Sequence, residues 1–318
     1  MKKAIARTDN ITHEEWLRLR QQGIGGSDAA VACGMSRWKS PLMLFLEKTS
    51  GQPMEIDNEY IYWGNVMEPV LREEFAKRSG LKTKVCPFMF QCAEYPWMLA
   101  NIDGVVHEKD GSTSLLEIKT ANGYAAKDWE DGLPAEYYIQ VQHYLAVCAL
   151  NKAYVACLLG GNHFIILPVE RDADTIATIT ALEADFWNNY VAKGCRPPVD
   201  DKAADALDQL YPQSDKTSTI LTEEADKLIS ELQEIKKLED QLTPEKSRLE
   251  NKLKAMLGKS ECGQTPAGYG VHWKSSSSSR FDTTRFKKEH PELATQYMSQ
   301  SSYRRFSITS PKTKKEDK

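Results

Sequence analysis

Ala100-Asn101-Ile102-Asp103-Gly104-Val105-Val106 and Leu115-Leu116-Glu117-Ile118-Lys119-Thr120 are the two stretches from which the fold is read. Each is a short apolar run interrupted by charge, suited to a buried strand. The segment between them holds Asp110-Gly111, a hairpin signal. Side chains alternate across a strand, so Glu117 and Lys119 share one face while Leu116 and Ile118 point to the other, into a core. A carboxylate and an ammonium two residues apart on an apolar strand admit two readings. One is an ion pair on a solvated sheet face. The other is a metal site with an attached lysine, because hard divalent cations take several oxygen ligands and carboxylates on adjacent strands supply them. For Asp103 to join Glu117, both side chains must leave the same face of the sheet. A two-residue Asp110-Gly111 turn would set Asp103 opposite Ile118, on the wrong face. A loop of three or five residues, or a bulge before Glu117, would bring the two carboxylates together.

The chain has 318 residues, 41% apolar and 27% charged, a composition ordinary for a globular protein. Its length suits one large domain or a domain with an appendage. No apolar run approaches the ~20 residues of a membrane helix, and Met1 to Asn10 lacks the apolar stretch of a signal peptide. Seven cysteines, an odd number without close pairs, fit reduced thiols in a cytoplasm. Cys86 and Cys92 lack zinc-knuckle spacing. Net charge is −4, but Gly268 to Lys318 carries 11 Lys/Arg against 5 Asp/Glu, so the remainder is strongly acidic. Such a body needs local basic pockets to approach a phosphate chain.

Thr12-His13-Glu14-Glu15 reads as a capping box opening a helix to about Gln22. Gly25-Gly26-Ser27-Asp28 precedes a second helix, which Ser27 can N-cap, and such a glycine turn is a ready anion site as well as a common bare turn. Ser40-Pro41 opens a third helix, and a fourth runs from Trp63 to Ser79 with Glu68 in its early turns. Leu133-Pro134 leads into a helix carrying Gln140 and Tyr144 on one face and Val141, Leu145 and Cys148 on another. Ala153–Leu159 and Phe164–Val169 read as strands, and a long helix from Asp172 follows.

Asp103, Glu117-Ile118-Lys119 and Gln140-x-x-x-Tyr144 together resemble the core of the PD-(D/E)xK nucleases, within the branch of RecB-type and lambda-exonuclease-type domains. The pattern is similar to the YqaJ-like viral recombinase family of phage exonucleases. The family's first-motif proline is replaced by Ile102. Trp16-x-x-Leu19-Arg20 with Ile24 and Ser27-Asp28 resembles the N-terminal motif in which an arginine and a serine grip a 5′-phosphate. Gly64-x-x-x-Glu68-Pro69 resembles the setting of a glutamate that faces the metal. The resemblance runs from about Trp16 to Pro198.

It implies an α/β, restriction-endonuclease-like core, with a central mixed sheet flanked by helices, over residues 8–198. It implies magnesium, or manganese in its place, as two ions per site. Asp103, Glu117 and the Ile118 carbonyl would be ligands, with Glu68 a ligand through water. Lys119 would activate water, Gln140 would orient Lys119 or that water, and Tyr144 would support the site. Arg20 and Ser27 would bind the 5′-phosphate. The implied activity is 5′→3′ degradation of linear double-stranded DNA to mononucleotides, leaving 3′ single strands for recombination. The implied context is a phage or prophage product in a bacterial cytoplasm, away from membranes, acting as a trimeric ring beside a single-strand annealing protein. An endonuclease or single-strand nuclease on the same fold, and a non-catalytic DNA-binding recombination factor, remain alternatives.

Beyond Arg196-Pro197-Pro198, residues 199–220 read as a linker. Residues 221–258 show apolar steps of three and four from Ala225 to Met256, a coiled-coil seam interrupted by Glu239, Lys246 and Thr243-Pro244. That pattern suggests two helices or one kinked helix. Residues 267–310 read as a small basic β–α–β module, with strands at Tyr269–Trp273 and Ser301–Ile308 around a helix ending near Met298. Residues 311–318 read as a disordered basic tail.

Overall fold

The computed structural model describes residues 2–52, 58–299 and 303–309. Strand β1 (Lys2–Arg7) precedes helices α1 (His13–Gln21), α2 (Gly26–Ala32), α3 (Pro41–Thr49) and α4 (Glu59–Ser79). Strands β2 (Lys82–Val85), β3 (Phe88–Cys92), β4 (Leu99–Asn101), β5 (Gly104–His107) and β6 (Thr113–Ala121) follow. Then come α5 (Ala135–Cys148), β7 (Lys152–Leu159), β8 (His163–Glu170), α6 (Ala173–Asp185) and α7 (Ala204–Leu210). The Thr12 hydroxyl and the Glu15 carboxylate cap α1 reciprocally, and Ser40 caps α3 ahead of Pro41. The N-cap of α2 is Gly25, so Ser27 sits inside the first turn and not at the cap, leaving its hydroxyl for other partners.

The architecture is mixed α/β. Five strands form the central sheet in the order β2-β5-β6-β7-β8. All neighbours are antiparallel except β6 and β7, which are joined by the α5 crossover and run parallel. Pro168 is tolerated in β8 because that strand lies at the sheet edge. A smaller sheet, β1-β3-β4, lies beside it. Both faces of β6 are covered. Leu116 and Ile118 pack with Leu71 and Phe75 of α4. Leu115 packs with Val141 and Leu145 of α5. Burying each such side chain contributes about 1.5–3 kcal/mol.

The chain divides after residue 210 into two compact units. The first unit, Met1–Leu210, is wider than the expected 8–198: β1 pairs with β3, and α7 packs on α3 through Ala206. Polar composition hid both, because β1 is an exposed edge strand rich in Lys and Arg, and α7 buries little beyond alanines.

The second unit, Tyr211–Lys318, contains α8 (Glu223–Leu257), β9 (Cys262–Gln264), β10 (Gly270–His272), α9 (Thr283–Glu289) and α10 (Pro291–Gln296). Helix α8 runs unbroken through Pro244, so of the two expected arrangements, two helices or one kinked helix, the first fails. The β–α–β expectation fails too. The described part of the predicted second strand, 303–309, is not in a strand, while Ser301 and Ser302 lie outside the described residues. The hydrogen bonds of β10 go instead to β9, a three-residue strand too short to be read from alternation. Pro291 splits the expected helix in two, since the residue before a proline is pushed out of helical geometry. The predicted tail, 311–318, lies outside the described residues. Among the described residues no helix is long and apolar enough to cross a membrane.

One polar pair ties α5 to its neighbours. His143 Nδ1 lies 2.7 Å from Glu183 Oε1 of α6, its Nε2 lies 2.9 Å from the Leu99 carbonyl, and both side chains are fully buried. Burial by itself would lower the His143 pKa, but the Glu183 charge and the two acceptors raise it above the ordinary histidine value. A raised folded-state pKa stabilises fully below the unfolded value of about 6.5 and is lost as pH rises through the folded value. Denaturant unfolding should therefore show stability falling as pH climbs from about 6.5, and Glu183→Gln should flatten that slope. An equal slope in the variant would place the titration elsewhere.

Candidate active site

The β5–β6 loop has five residues, Glu108–Ser112, with Gly111 at φ +86°. Gly104 pairs with Leu116 and Val105 with Leu115, a register that, carried one residue beyond β5, sets Asp103 opposite Glu117. The two carboxylates thus leave the same face, as the longer loop requires. Asp103 Oδ2 accepts a 2.7 Å hydrogen bond from the Ile118 N–H, which locks the side chain against β6. Glu117 is only 3% exposed, so a solvated ion pair is excluded. Its Oε1 accepts from Lys119 Nζ and from Gln140 Nε2, each at 2.6 Å. Its Oε2 is buried without a hydrogen-bond partner.

Helix α5 sets the roof of this cluster. Gln140 Nε2 reaches Glu117 Oε1, the same oxygen that Lys119 touches. Tyr144, one turn on, is buried with its hydroxyl 3.4 Å from Gln140 Nε2. The Tyr144 ring presses on Gly26, where a Cβ would come within 2.4 Å of it, which ties α5 to the start of α2. Tyr137 was not foreseen: its ring lies 5.2 Å from Lys119 Nζ and packs, tilted, against the Trp129 ring. On the other side Glu68 of α4 pairs with Arg72, whose guanidinium also donates to the Asp103 carbonyl at 3.2 Å.

Burial raises all three carboxylates above their ordinary range. Glu117 is pushed up to about 8 by burial and then by the Asp103 charge, against the pull of Lys119. Asp103 is raised by burial, opposed by Lys119 and the Ile118 N–H. Glu68 is raised by burial and by Asp103, opposed by Arg72. Among the described residues no three His, Cys, Asp or Glu side chains converge on one point. Two carboxylates and the Ile118 carbonyl are therefore the donors to weigh, with Glu68 turned toward Arg72. Hard oxygens, excess negative charge and an orphaned Glu117 oxygen fit a divalent cation such as magnesium.

A basic cluster occupies the other end of the same cavity, of about 580 Å³. Arg20 donates to Ser27 Oγ at 2.9 Å and reaches Asp28 at 3.4 Å, with its guanidinium over the Trp16 ring. Asp28 is buried and holds Lys48 at 2.7 Å, with Lys39 at 4.0 Å. Burial would raise the Asp28 pKa, yet Lys48, Arg20 and Lys39 hold it well below the carboxylate range. Lys48 is lowered, by burial first and by its cationic neighbours, despite Asp28. Arg20 and Ser27 were expected here. Asp28 stood in the same motif without an assigned role, and Lys39 and Lys48 flank or lie on α3 with no periodic signal to mark them. The cavity wall thus carries Arg20, Ser27 and Lys48 at one end and Glu68, Asp103, Glu117 and Lys119 at the other.

Comparison with known proteins gives consistent similarity. Residues 15–151 match the family described as YqaJ-like viral recombinase domain. The uncharacterized protein YqaJ of Bacillus subtilis (strain 168) is 34% identical over 313 residues, covering 96% of this chain and 97% of YqaJ. Among solved structures, the alkaline exonuclease LHK-Exo of Laribacter hongkongensis is similar at 23% identity, covering 57% of this chain and 93% of that one, with a TM-score of 0.49. A phage related exonuclease from Haemophilus somnus 129PT is similar at 13% identity, 56% and 99% coverage and a TM-score of 0.41.

The basic cluster makes its own prediction. Asp28→Asn removes the one carboxylate among the described residues that pairs with Lys48 and leaves a buried charge uncompensated, a loss of about 3–5 kcal/mol. Denaturant unfolding measures it, and a change below 1 kcal/mol would show that Lys48 is satisfied some other way.

Proposed function

Because the chain belongs to the YqaJ-like viral recombinase family, we propose that it is a metal-dependent exonuclease that trims linear double-stranded DNA from the 5′ end, releasing mononucleotides and leaving a 3′ single strand. The observation that carries this reading is one cavity lined both by the Arg20, Ser27 and Lys48 cluster and by Asp103, Glu117 and Lys119. A nucleic-acid strand end presents two unlike groups: a terminal phosphate that seeks cations, and a phosphodiester that needs charge neutralisation and an activated water. Arg20, Ser27 and Lys48 suit the first, and Asp103, Glu117 and Lys119 suit the second.

Asp103, Glu117 and the Ile118 carbonyl would hold one magnesium or manganese ion, and Asp103 with Glu68 through water would hold a second. Such ions, when bound, stabilise the attacking and leaving oxygens of an in-line displacement. The chain's own groups do the rest. Lys119, seated on Tyr137 beside Glu117, would donate to the attacking water and favour its deprotonation. Gln140 fixes the Glu117 oxygen that Lys119 also touches, so the glutamate is held in one rotamer. Arg20 and Ser27 would anchor the terminal phosphate and so set the direction of digestion. A ring-shaped homotrimer threaded by the duplex, and a single-strand annealing protein on the exposed 3′ strand, complete the proposal.

Four substrates separate this reading from its rivals: a 5′-phosphorylated duplex, a 5′-hydroxyl duplex, a circular duplex and a single strand. The phosphorylated duplex should be degraded fastest and the circle left intact. Cutting of the circle would establish an endonuclease, and no cutting with magnesium or manganese would leave a binding factor. Lys119→Ala should abolish turnover in folded protein. Arg20→Ala should slow the phosphorylated duplex by about 10–100-fold, the loss of one charge-assisted hydrogen bond of about 1.5–3 kcal/mol. Equal slowing on hydroxyl ends would remove the phosphate assignment.

A further inference from the structure

Helix α8 is 35 residues long and none of them is buried. At 1.5 Å per residue it extends about 52 Å. Its seam residues Leu232, Ile235, Leu242 and Leu249 are 46%, 54%, 67% and 50% exposed. The seam keeps heptad spacing from Ala225 to Met256, so these side chains form one apolar stripe, broken at Glu239 and Lys246. Helices of this kind are stabilised by burial of the stripe more than by propensity. Because α8 is unbroken, its two halves cannot fold back on each other to provide that burial. Pro244 falls on the side of the helix away from the stripe and does not interrupt it.

We propose that the partner of α8 is the α8 of a second copy of this chain, packed antiparallel. The direction follows from charge. Residues 223–240 carry seven carboxylates and three lysines, whereas residues 241–257 carry four bases and two carboxylates. A parallel pair lays acidic half on acidic half, and an antiparallel pair lays acidic on basic. The two charged seam positions agree. In a parallel pair Glu239 faces its own copy and Lys246 faces its own copy, like charges in the centre of the interface. In the antiparallel pair with full overlap, Glu239 faces Leu242 of the second copy and Ile235 faces its Lys246. Glu239 then lies about 6 Å along the axis from that Lys246, four residues away. Glu231 is brought beside Lys252 of the second copy at the flank. Lys246 now lies 3.9 Å from Glu250 of its own helix, both largely exposed, a pairing too weak to prevent this. Pairing of this kind tethers two copies of the Met1–Leu210 unit, and it does not rest on the nuclease reading.

Position-specific cross-linking of the full chain tests both occupant and direction. In a background with the exposed Cys195 and Cys262 replaced by serine, Leu228→Cys and Leu253→Cys chains are made separately. Under mild oxidation the mixture should form a covalent dimer, and either chain alone should form at least tenfold less. Cross-linking of each chain alone would show parallel pairing and overturn the proposal, as would a mixture that stays unlinked or links to another polypeptide. Sedimentation gives a second readout that no cysteine perturbs. Glu239→Lys should weaken association at least tenfold, and Glu239→Lys with Lys246→Glu should restore it. A single reversal without effect, or a double reversal without recovery, would overturn the antiparallel arrangement.

Discussion

The hydrogen bond from the Ile118 N–H to Asp103 Oδ2 is the contact on which the site depends. It ties the residue before β5 to the middle of β6 and so holds two carboxylates on one face of a sheet that is covered on both sides. Carboxylates taken out of water resist ionisation, and two of them together resist it further. The surrounding structure answers that penalty group by group. Lys119 and Gln140 converge on one oxygen of Glu117, and Arg72 draws Glu68 aside. What remains unanswered is the other Glu117 oxygen. A fold that buries a bare carboxylate oxygen beside two other raised carboxylates has put its least stable group where a cation would gain most.

The opposite end of the cavity inverts this arrangement. There the buried carboxylate Asp28 holds Lys48 and Arg20, Glu47 holds Lys39, and three cations against two carboxylates leave a positive surplus. The chain as a whole is acidic, so attraction for a phosphate must come from such local surplus and not from net charge. Gly26 makes the two ends one construction. Its missing side chain lets Tyr144 pack against the start of α2, and Tyr144 belongs to the helix that carries Gln140. The cationic and anionic clusters are therefore positioned through the same pair of packed helices.

Much of this was legible in the residue order. The strand pair, the need for an odd loop between the carboxylates, and the α5 pair Gln140 and Tyr144 follow from alternation, turn chemistry and helical spacing. Arg20 and Ser27 were marked by a local motif. Lys48 and Arg72 were not, because each meets the site across elements remote in sequence and stands in a stretch whose own pattern is an ordinary helix; Tyr137 shares α5 with Gln140 but no motif marked it. The Ser27 cap was misplaced by two residues because a glycine can cap without a side chain, and no spacing rule distinguishes the choices.

By itself the sequence determined most strands and helices of the first unit, though not β1, β2 or α7, and also which carboxylates share a face and that a long apolar stripe exists near the C-terminus. These are properties of neighbours along the chain, governed by periods of two and 3.6. Tertiary structure decided which hydrogen bonds the carboxylates make and how far burial raises them. It also decided that Asp28 belongs to Lys48, that β10 pairs with a three-residue strand, and that α8 continues through a proline. Each of these depends on a partner or on solvent exclusion, and neither is encoded at a fixed distance along the chain.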